Sequence, residues 1–257
     1  DLGTDAVSQA HAVFNKTWKK SSHRTFKIGN ASEISKDAFS YVTQAPLQKQ
    51  RHLYNLLIRK IRGSRRSIIL AAPYLIPDRR LFRSLRKATK RGVRVTIICP
   101  RKTDFLLADL SRDSFIHTML NHKIEIHFLP MMVHSKIAIF DADHDYLKRL
   151  HANAHNLSEH AAADATAIEP KEAYVPNTSG APSAIIGTLN LDNISLRYNY
   201  ECAIYTDDWN CVHELYAHMT AFIHRHPESR LTAHAWEKRG FFRKVCEFLM
   251  LPFRKLF

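Results

Sequence analysis

His134-Ser-Lys136 is followed after four residues by Asp141, and further along the chain come Gly187-Thr-Leu-Asn190-Leu-Asp192 and then Glu201. These residue types suit the handling of a phosphate ester. An imidazole can attack phosphorus or move a proton, a lysine and a carboxamide can hold charged non-bridging oxygens, and a carboxylate can orient the imidazole. Such chemistry needs neither a glycine-rich loop nor a metal cluster, so no cofactor and no metal is expected. Val133, Ser135, Ile137 and Ile139 alternate with His134, Lys136 and Ala138. That alternation predicts a strand presenting His134 and Lys136 on one face.

The elements that must position these residues are legible in outline. Val7, Ala10, Phe14 and Trp18 recur at helical spacing across residues 5–19, and Lys19 to Lys36 is mostly polar without a period, which predicts a helix and then a linker. Leu53, Leu57 and Ile61 predict a helix over 48–62, and 67–72 is an apolar run suited to a buried strand. Asp78 caps a helix carrying Leu81, Leu85 and Ala88, which Gly92 ends. Strands are predicted at 93–99 and 123–128, with helices around 113–120 and over 208–225. Strand, helix, strand, helix, strand is the order of an α/β layered sandwich, with the later strands as hairpin partners.

Two segments stand apart. Residues 142–182, rich in Ala, His, Asn and Asp, form a long loop that joins two adjacent strands and can project outward without disturbing their pairing. Its His151, His155 and His160 read as incidental, because no cysteine or firm ligand spacing accompanies them. Asp141-Ala-Asp143-His-Asp145 opens like a calcium loop but lacks the later glycine and glutamate such loops require. Near the end, Trp236, Phe241, Phe242, Val245, Phe248 and Leu249 fall on one face of a predicted helix, with Arg239, Arg243 and Lys244 elsewhere on it. That pattern fits an interfacial amphipathic helix and equally a last helix packed on the sheet.

In its HxKxxxxD run, its G-[ST]-x-N-x-D block and its later glutamate the chain resembles the phospholipase D superfamily, most closely the C-terminal half of bacterial cardiolipin synthases. Ala72-Pro-Tyr-Leu-Ile-Pro77-Asp78, Arg91-Gly-Val-Arg-Val-Thr-Ile97 and Pro100 follow the order of that half. The resemblance covers roughly residues 50 to 210. It implies a phospholipase D-like α/β/α layered sandwich with a mixed central sheet over 45–230. Residues 1–44 would be the closing helix and linker of a preceding half, and 231–257 a basic amphipathic tail. It further implies that His134 is one of two catalytic histidines, that Lys136 and Asn190 hold the phosphoryl oxygens with Thr188 near the phosphate, and that Glu201 hydrogen-bonds the imidazole and sets its tautomer. Asp141 is expected to be structural or catalytic. The family commonly continues D-x-R-S, whereas Asp192-Asn-Ile194-Ser195 has isoleucine in place of the arginine. Members need two such motifs and this sequence has one His-x-Lys. The second half-site is therefore expected from a missing N-terminal region or from an identical chain in a homodimer, and His134 is either nucleophile or general acid.

Composition bounds the partners. The chain has 257 residues, 45% of them hydrophobic, and a formal charge of +14, which points to an anionic partner: phospholipid and a membrane surface, or nucleic acid. No stretch approaches the roughly 18 apolar residues of a membrane span. Cysteines 99, 202, 211 and 246 lack a CxxC pair and read as buried thiols. Five N-x-[ST] matches, one of them Asn193-Ile-Ser195 inside the proposed site, read as coincidences. The leading expectation is a phosphatidyltransferase resembling cardiolipin synthase, working through a histidine phosphoenzyme, with hydrolysis to phosphatidic acid as a close variant. Its expected location is the cytoplasmic side of a bacterial inner membrane, as a peripheral protein. The alternative is a phospholipase D-type nuclease that cleaves DNA or RNA as a homodimer, and a third class is a membrane-binding protein with an inert half-site. No exposed aromatic series suited to stacking bases is evident, which disfavours the nuclease.

Overall fold

Ile68 and Leu70 are buried toward one side of a strand whose Ile69 and Ala71 are buried toward the other. A strand with two apolar faces must be covered twice, and the architecture follows from that. The computed structural model describes residues 7–15, 38–45, 50–142 and 180–250. Its elements are a helix at 7–15 (α1), then β1 (Phe39–Gln44), α2 (His52–Gly63), β2 (Ser67–Ala71), β3 (Leu75–Ile76), α3 (Arg79–Lys90), β4 (Arg94–Pro100), α4 (Leu106–Asn121), β5 (Ile124–Leu129), β6 (Ile137–Phe140), β7 (Ser183–Gly187), β8 (Leu191–Asp192), α5 (Asn193–Arg197), β9 (Glu201–Thr206), α6 (Trp209–Arg225), α7 (Ala233–Glu237) and α8 (Phe241–Met250).

Seven strands form one mixed sheet in the order β1-β9-β7-β6-β2-β4-β5, and β3 and β8 form a small second sheet. β2, β4 and β5 run parallel, while the β2–β6, β6–β7, β7–β9 and β9–β1 pairs are antiparallel. One face packs on α2, α3 and α4 through Leu57, Ile61, Leu85 and Ile116, and on Trp236 of α7. The other face packs on α6 through Val212 and Met219. The result is the α/β/α sandwich with a mixed central sheet that the sequence implied. Asp78 caps α3 by accepting from Leu81 N at 2.7 Å. Gly92 closes the turn after it in the left-handed region, with φ +87°.

Several details differ from the expectations. His134 and Lys136 are not on a strand: β6 begins at Ile137, where its pairing with Ala71 of β2 starts, and the two residues lie in the segment leading into it. α4 starts at Leu106 rather than near Asp113. Its inner face is polar, with Asp109, Arg112 and Asp113 all buried, so hydrophobic period does not betray it. Arg112 is satisfied there by Asp109 and Asp113, each at 3.0 Å, and by the Pro100 carbonyl at 2.9 Å. The C-terminal residues do not form one helix either. Trp236 on α7 is buried against Phe128, whereas α8 starts afresh at Phe241, docks its Arg243 on buried Asp113 at 2.6 Å, and leaves Phe248 and Leu249 exposed. Finally, Cys99 is buried, with its thiol pushed up to about 12 by burial, but Cys202, Cys211 and Cys246 are only partly so.

β1 is an edge strand within the segment expected to be helix and linker. Its pairing with β9, from Phe39↔Thr206 to Gln44↔Glu201, makes it part of the same sheet. The described part of the opening helix covers 7–15, and the expected linker and the body of the long loop, with His151, His155 and His160, lie outside the described residues. The strands that loop joins are indeed neighbours, since Phe140 pairs with Ser183.

Asp141 ends β6 with φ +56° and is buried. Its Oδ1 accepts from Arg65 N at 2.8 Å and Arg66 N at 2.7 Å, which satisfies the backbone leading into β2. Asp141→Ala should therefore lower stability by about 1–3 kcal/mol, because two part-buried N–H groups lose a charged acceptor and alanine is strained at positive φ. Asp141→Asn, which keeps an acceptor and tolerates that φ, should cost about 1 kcal/mol or less. Urea unfolding of the two variants measures the difference, and equal losses would remove this capping role.

Candidate functional site

The sheet's polarity decides which residues can meet. β2, β4, β5 and β7 end at one edge, where β6 and β9 begin and β1 ends. His134, Lys136, Gly187, Thr188 and Glu201 all belong to that edge. Asp141, at the other end of β6, does not, and its carboxylate is occupied by the β2 backbone.

His134 is exposed and Lys136 half-buried. Lys136 Nζ lies 3.0 Å from His134 Nδ1, 3.2 Å from Nε2 and 3.0 Å from the His134 carbonyl oxygen. Either ring nitrogen lies within reach of the ammonium, and the one that accepts from it has its lone pair engaged until the lysine turns to another acceptor. Burial lowers the lysine below its usual value, and the Glu201 carboxylate acts in the opposite sense. The Lys136 carbonyl accepts from Gly187 N at 3.1 Å, which extends the β6–β7 pairing by one residue and fixes the lysine beside the second motif.

That second motif alternates. Leu189 and Leu191 are buried in the core and alternate with Thr188 and Asn190. At Gly187 an added Cβ would meet the Cys202 carbonyl oxygen at 2.2 Å and the Ala203 Cβ at 2.5 Å, so only glycine fits between β7 and β9. The Thr188 hydroxyl accepts from Cys202 N at 3.1 Å and donates to Glu201 Oε2. The hydroxyl expected near the phosphate is thus engaged with the carboxylate, and Glu201 is engaged with Thr188. Asn190 Oδ1 is buried and finds no partner among the described residues. Oxygen and nitrogen of a carboxamide exchange by a flip, so this edge of Asn190 can equally present Nδ2 to an acceptor such as a phosphoryl oxygen.

Asp192 of the second motif, the Asp78 cap and several residues that the sequence did not single out hold this edge together. Asp192 caps α5 by accepting from Ser195 N at 2.8 Å. Gln44 Nε2, at the end of β1, donates to the Ser195 carbonyl at 2.8 Å, and its Oε1 accepts from Tyr54 N at 3.2 Å. The Tyr54 hydroxyl donates to Asp78 at 2.6 Å, and Arg197 on α5 reaches the same carboxylate at 3.3 Å. Burial and the Asp78 bond push the Tyr54 phenol well up, so it stays a donor. Of these, only Asp78, as a helix cap, and Asp192, as the last position of the second motif, carried a sequence signal. Beside Glu201 and Thr188 opens a groove of about 370 Å³, walled by Tyr41, Tyr200 and the Ala10, Val13 and Phe14 face of α1. Among the described residues, no group of three or more His, Cys, Asp and Glu side chains is arranged to hold a metal ion.

A family model described as "Cardiolipin synthase, PLD-like domain" matches residues 57–223. The sequence is 25% identical over 205 residues to cardiolipin synthase A of Cronobacter sakazakii, an alignment covering 79% of this chain and 34% of that protein. It is similar to the same degree, and over the same shares, to cardiolipin synthase A of Shigella dysenteriae. The chain thus spans about a third of the length of these curated relatives. Among solved structures it is similar in fold to phosphatidylserine synthase of Haemophilus influenzae, with TM-score 0.52 and 10% identity over 93% of this chain and 50% of that one. NucT of Helicobacter pylori gives TM-score 0.48 at 16% identity, covering 76% of this chain and 99% of that one.

Burial holds the Glu201 carboxyl above its usual 4.5, against the lowering effect of its bond with Thr188. A raised folded-state value means that folding favours the protonated form. The cost of the charge is absent well below 4.5, where the carboxyl is protonated in both states, develops as pH rises from there toward the folded value, and is complete above it. Glu201→Gln should accordingly raise the unfolding free energy from urea titration at neutral pH, by on the order of 1 kcal/mol at most, and leave it unchanged in the acid arm. An equal effect in both arms would mean that something other than the buried charge is responsible.

Proposed function

Because the chain belongs to the phospholipase D-like family whose model is described as cardiolipin synthase, PLD-like domain, we propose that it supplies one half of a phosphatidyl-transferring phosphodiesterase acting on anionic phospholipid. The observation that carries this reading is the approach of Lys136 Nζ to within 3.0 Å of His134 Nδ1. A cation beside the imidazole draws a phosphodiester to it, and a lysine that turns to the phosphoryl oxygens would free the ring nitrogen that attacks phosphorus or serves the leaving group.

In the proposed reaction an imidazole nitrogen attacks the phosphorus of a phosphatidyl donor. A P–N bond forms, the P–O bond to the departing alcohol breaks, and that alcohol takes a proton from an opposing acid. The acceptor hydroxyl then returns a proton to the same group and attacks phosphorus, which breaks the P–N bond and frees the imidazole. Water in place of the acceptor alcohol would yield phosphatidic acid. Lys136 and the Asn190 carboxamide would hold the non-bridging oxygens, whose charge is less screened in a half-buried cleft than in bulk water. Glu201 and Thr188 would position the lysine and the cleft wall.

One His-x-Lys supplies one of the two proton-handling groups this sequence of steps requires. The other would come from a further half. The match to about a third of the relatives' length, 34%, supports a region of a longer chain as its source. The charge of +14 and the exposed apolar side chains of α8 support work at a membrane surface. No described helix is long and apolar enough to cross a membrane.

Mass spectrometry of phosphatidylglycerol vesicles incubated with a protein in which both halves are present tests this function. Cardiolipin or phosphatidic acid is expected, and His134→Ala should lower its formation by about 10²–10⁴-fold. Product that persists in the variant would overturn the assignment. Steeply salt-dependent DNA cleavage without any lipid product would put the nuclease reading in its place.

A further inference from the structure

Leu106 and Leu107, at the start of α4, are 69% and 44% exposed, and Phe105 beside them is 45% exposed. Met131 and Met132, just after β5, are 40% and 44% exposed. β4 and β5 are parallel neighbours that end together, and Arg101 N donates to the Leu129 carbonyl at 2.8 Å where the two loops leave the sheet. The five side chains therefore belong to adjoining loops at one sheet edge, the edge that carries His134. Met132 is only two residues from His134 in the chain.

This exposure is held in place by the structure. Thr103 N donates to Asp109 Oδ2 at 3.0 Å, and Asp109 in turn is held by buried Arg112 at 3.0 Å. The Tyr74 hydroxyl donates to Asp104 in the same loop, and the Tyr74 carbonyl accepts from Leu191 N, next to Asn190, at 3.2 Å. One tyrosine thus ties the apolar loop to the second motif. Large apolar side chains presented this way carry a solvation cost unless something covers them.

Charge selects the cover. Arg101 and Lys102 are exposed in the same loop against one acid, Asp104, so the rim is apolar with a net positive charge. A second copy of this chain would bring the same two cations to a self-facing contact, where like charges repel. An anionic lipid surface satisfies both properties, since acyl chains receive the apolar side chains and headgroups receive the cations. We propose that Phe105, Leu106, Leu107, Met131 and Met132 form a membrane-seating rim that dips into an anionic bilayer and holds the His134 edge at headgroup depth. The proposal rests on the phosphatidyl-transfer reading and adds to it how the site meets its substrate.

The test compares the wild-type protein with a Leu106→Gln/Met132→Gln double variant, using flotation on phosphatidylglycerol vesicles and on phosphatidylcholine vesicles. Both positions are exposed, so thermal unfolding should be unchanged. Partition onto phosphatidylglycerol vesicles should fall about tenfold, an amount that two lost insertions comfortably supply. Wild-type protein should prefer phosphatidylglycerol over phosphatidylcholine. Turnover of a short-chain phosphatidylglycerol below its micelle concentration should be the same for both proteins. Unchanged flotation of the variant would overturn the rim, as would a shift from dimer to monomer in gel filtration with flotation intact. If wild-type protein floats and the variant does not, yet neither vesicular nor monomeric lipid is converted, the rim stands and the phosphatidyl-transfer reading falls.

Discussion

The missing side chain at Gly187 lets β7 approach β9 until no Cβ can stand between them. That approach brings Thr188 N to the Cys202 carbonyl and the Thr188 hydroxyl to Glu201. It also sets the register in which Gly187 N meets the Lys136 carbonyl, so the two motifs, far apart in sequence, are joined at one backbone position. A methyl group there would push the strands apart or shift the register, and a shift of one residue in a sheet exchanges its faces. The glycine serves close packing here rather than an unusual backbone angle.

Around that junction the polar groups are paired in series. Gln44 spans from the β9 partner strand to α5 and to α2, while Asp78 gathers the Tyr54 hydroxyl, the first turn of α3 and Arg197. Buried polar groups are costly unless satisfied, so such a series fixes one arrangement of the motif loop among the many its apolar residues alone would permit. The Asn190 amide oxygen is the exception in this neighbourhood. A donor or acceptor left over where the rest are matched is where a ligand would complete the set.

What the sequence disclosed and what it hid follow from the same physics. α2, α3 and α6 bury regular apolar stripes, and β2 and β4 are apolar on both faces, so period and run length reveal them. β1 escaped notice because it is a short edge strand behind a polar stretch. The first turns of α4 escaped notice because a buried Arg112 with two aspartates replaces the apolar stripe. At the site, the identity and spacing of His134, Lys136, Asn190 and Glu201 were readable, since they define a motif. Their supports, Gln44, Tyr54 and Arg197, were not, because each acts through a partner between 10 and 151 positions away. The division of Asp141 from the histidine was hidden for a related reason. A strand places its two ends on opposite edges of a sheet, and a motif written as a line of letters does not show it.

Arg66 donates to the carbonyl of Asp141 at 2.9 Å and to that of Gly180 at 2.5 Å. One guanidinium therefore clasps the two points between which residues 142–179 run, at the sheet edge away from the histidine. The chain that leaves and re-enters at this clasp can grow or shrink with little thermodynamic penalty, since each doubling of a loop costs only about 0.6 kcal/mol in closure entropy. For protein engineering the clasp is a docking port. A reporter domain or affinity tag spliced between the two carbonyls would inherit a fixed exit and entry while standing at the opposite edge of the sheet from His134 and Lys136.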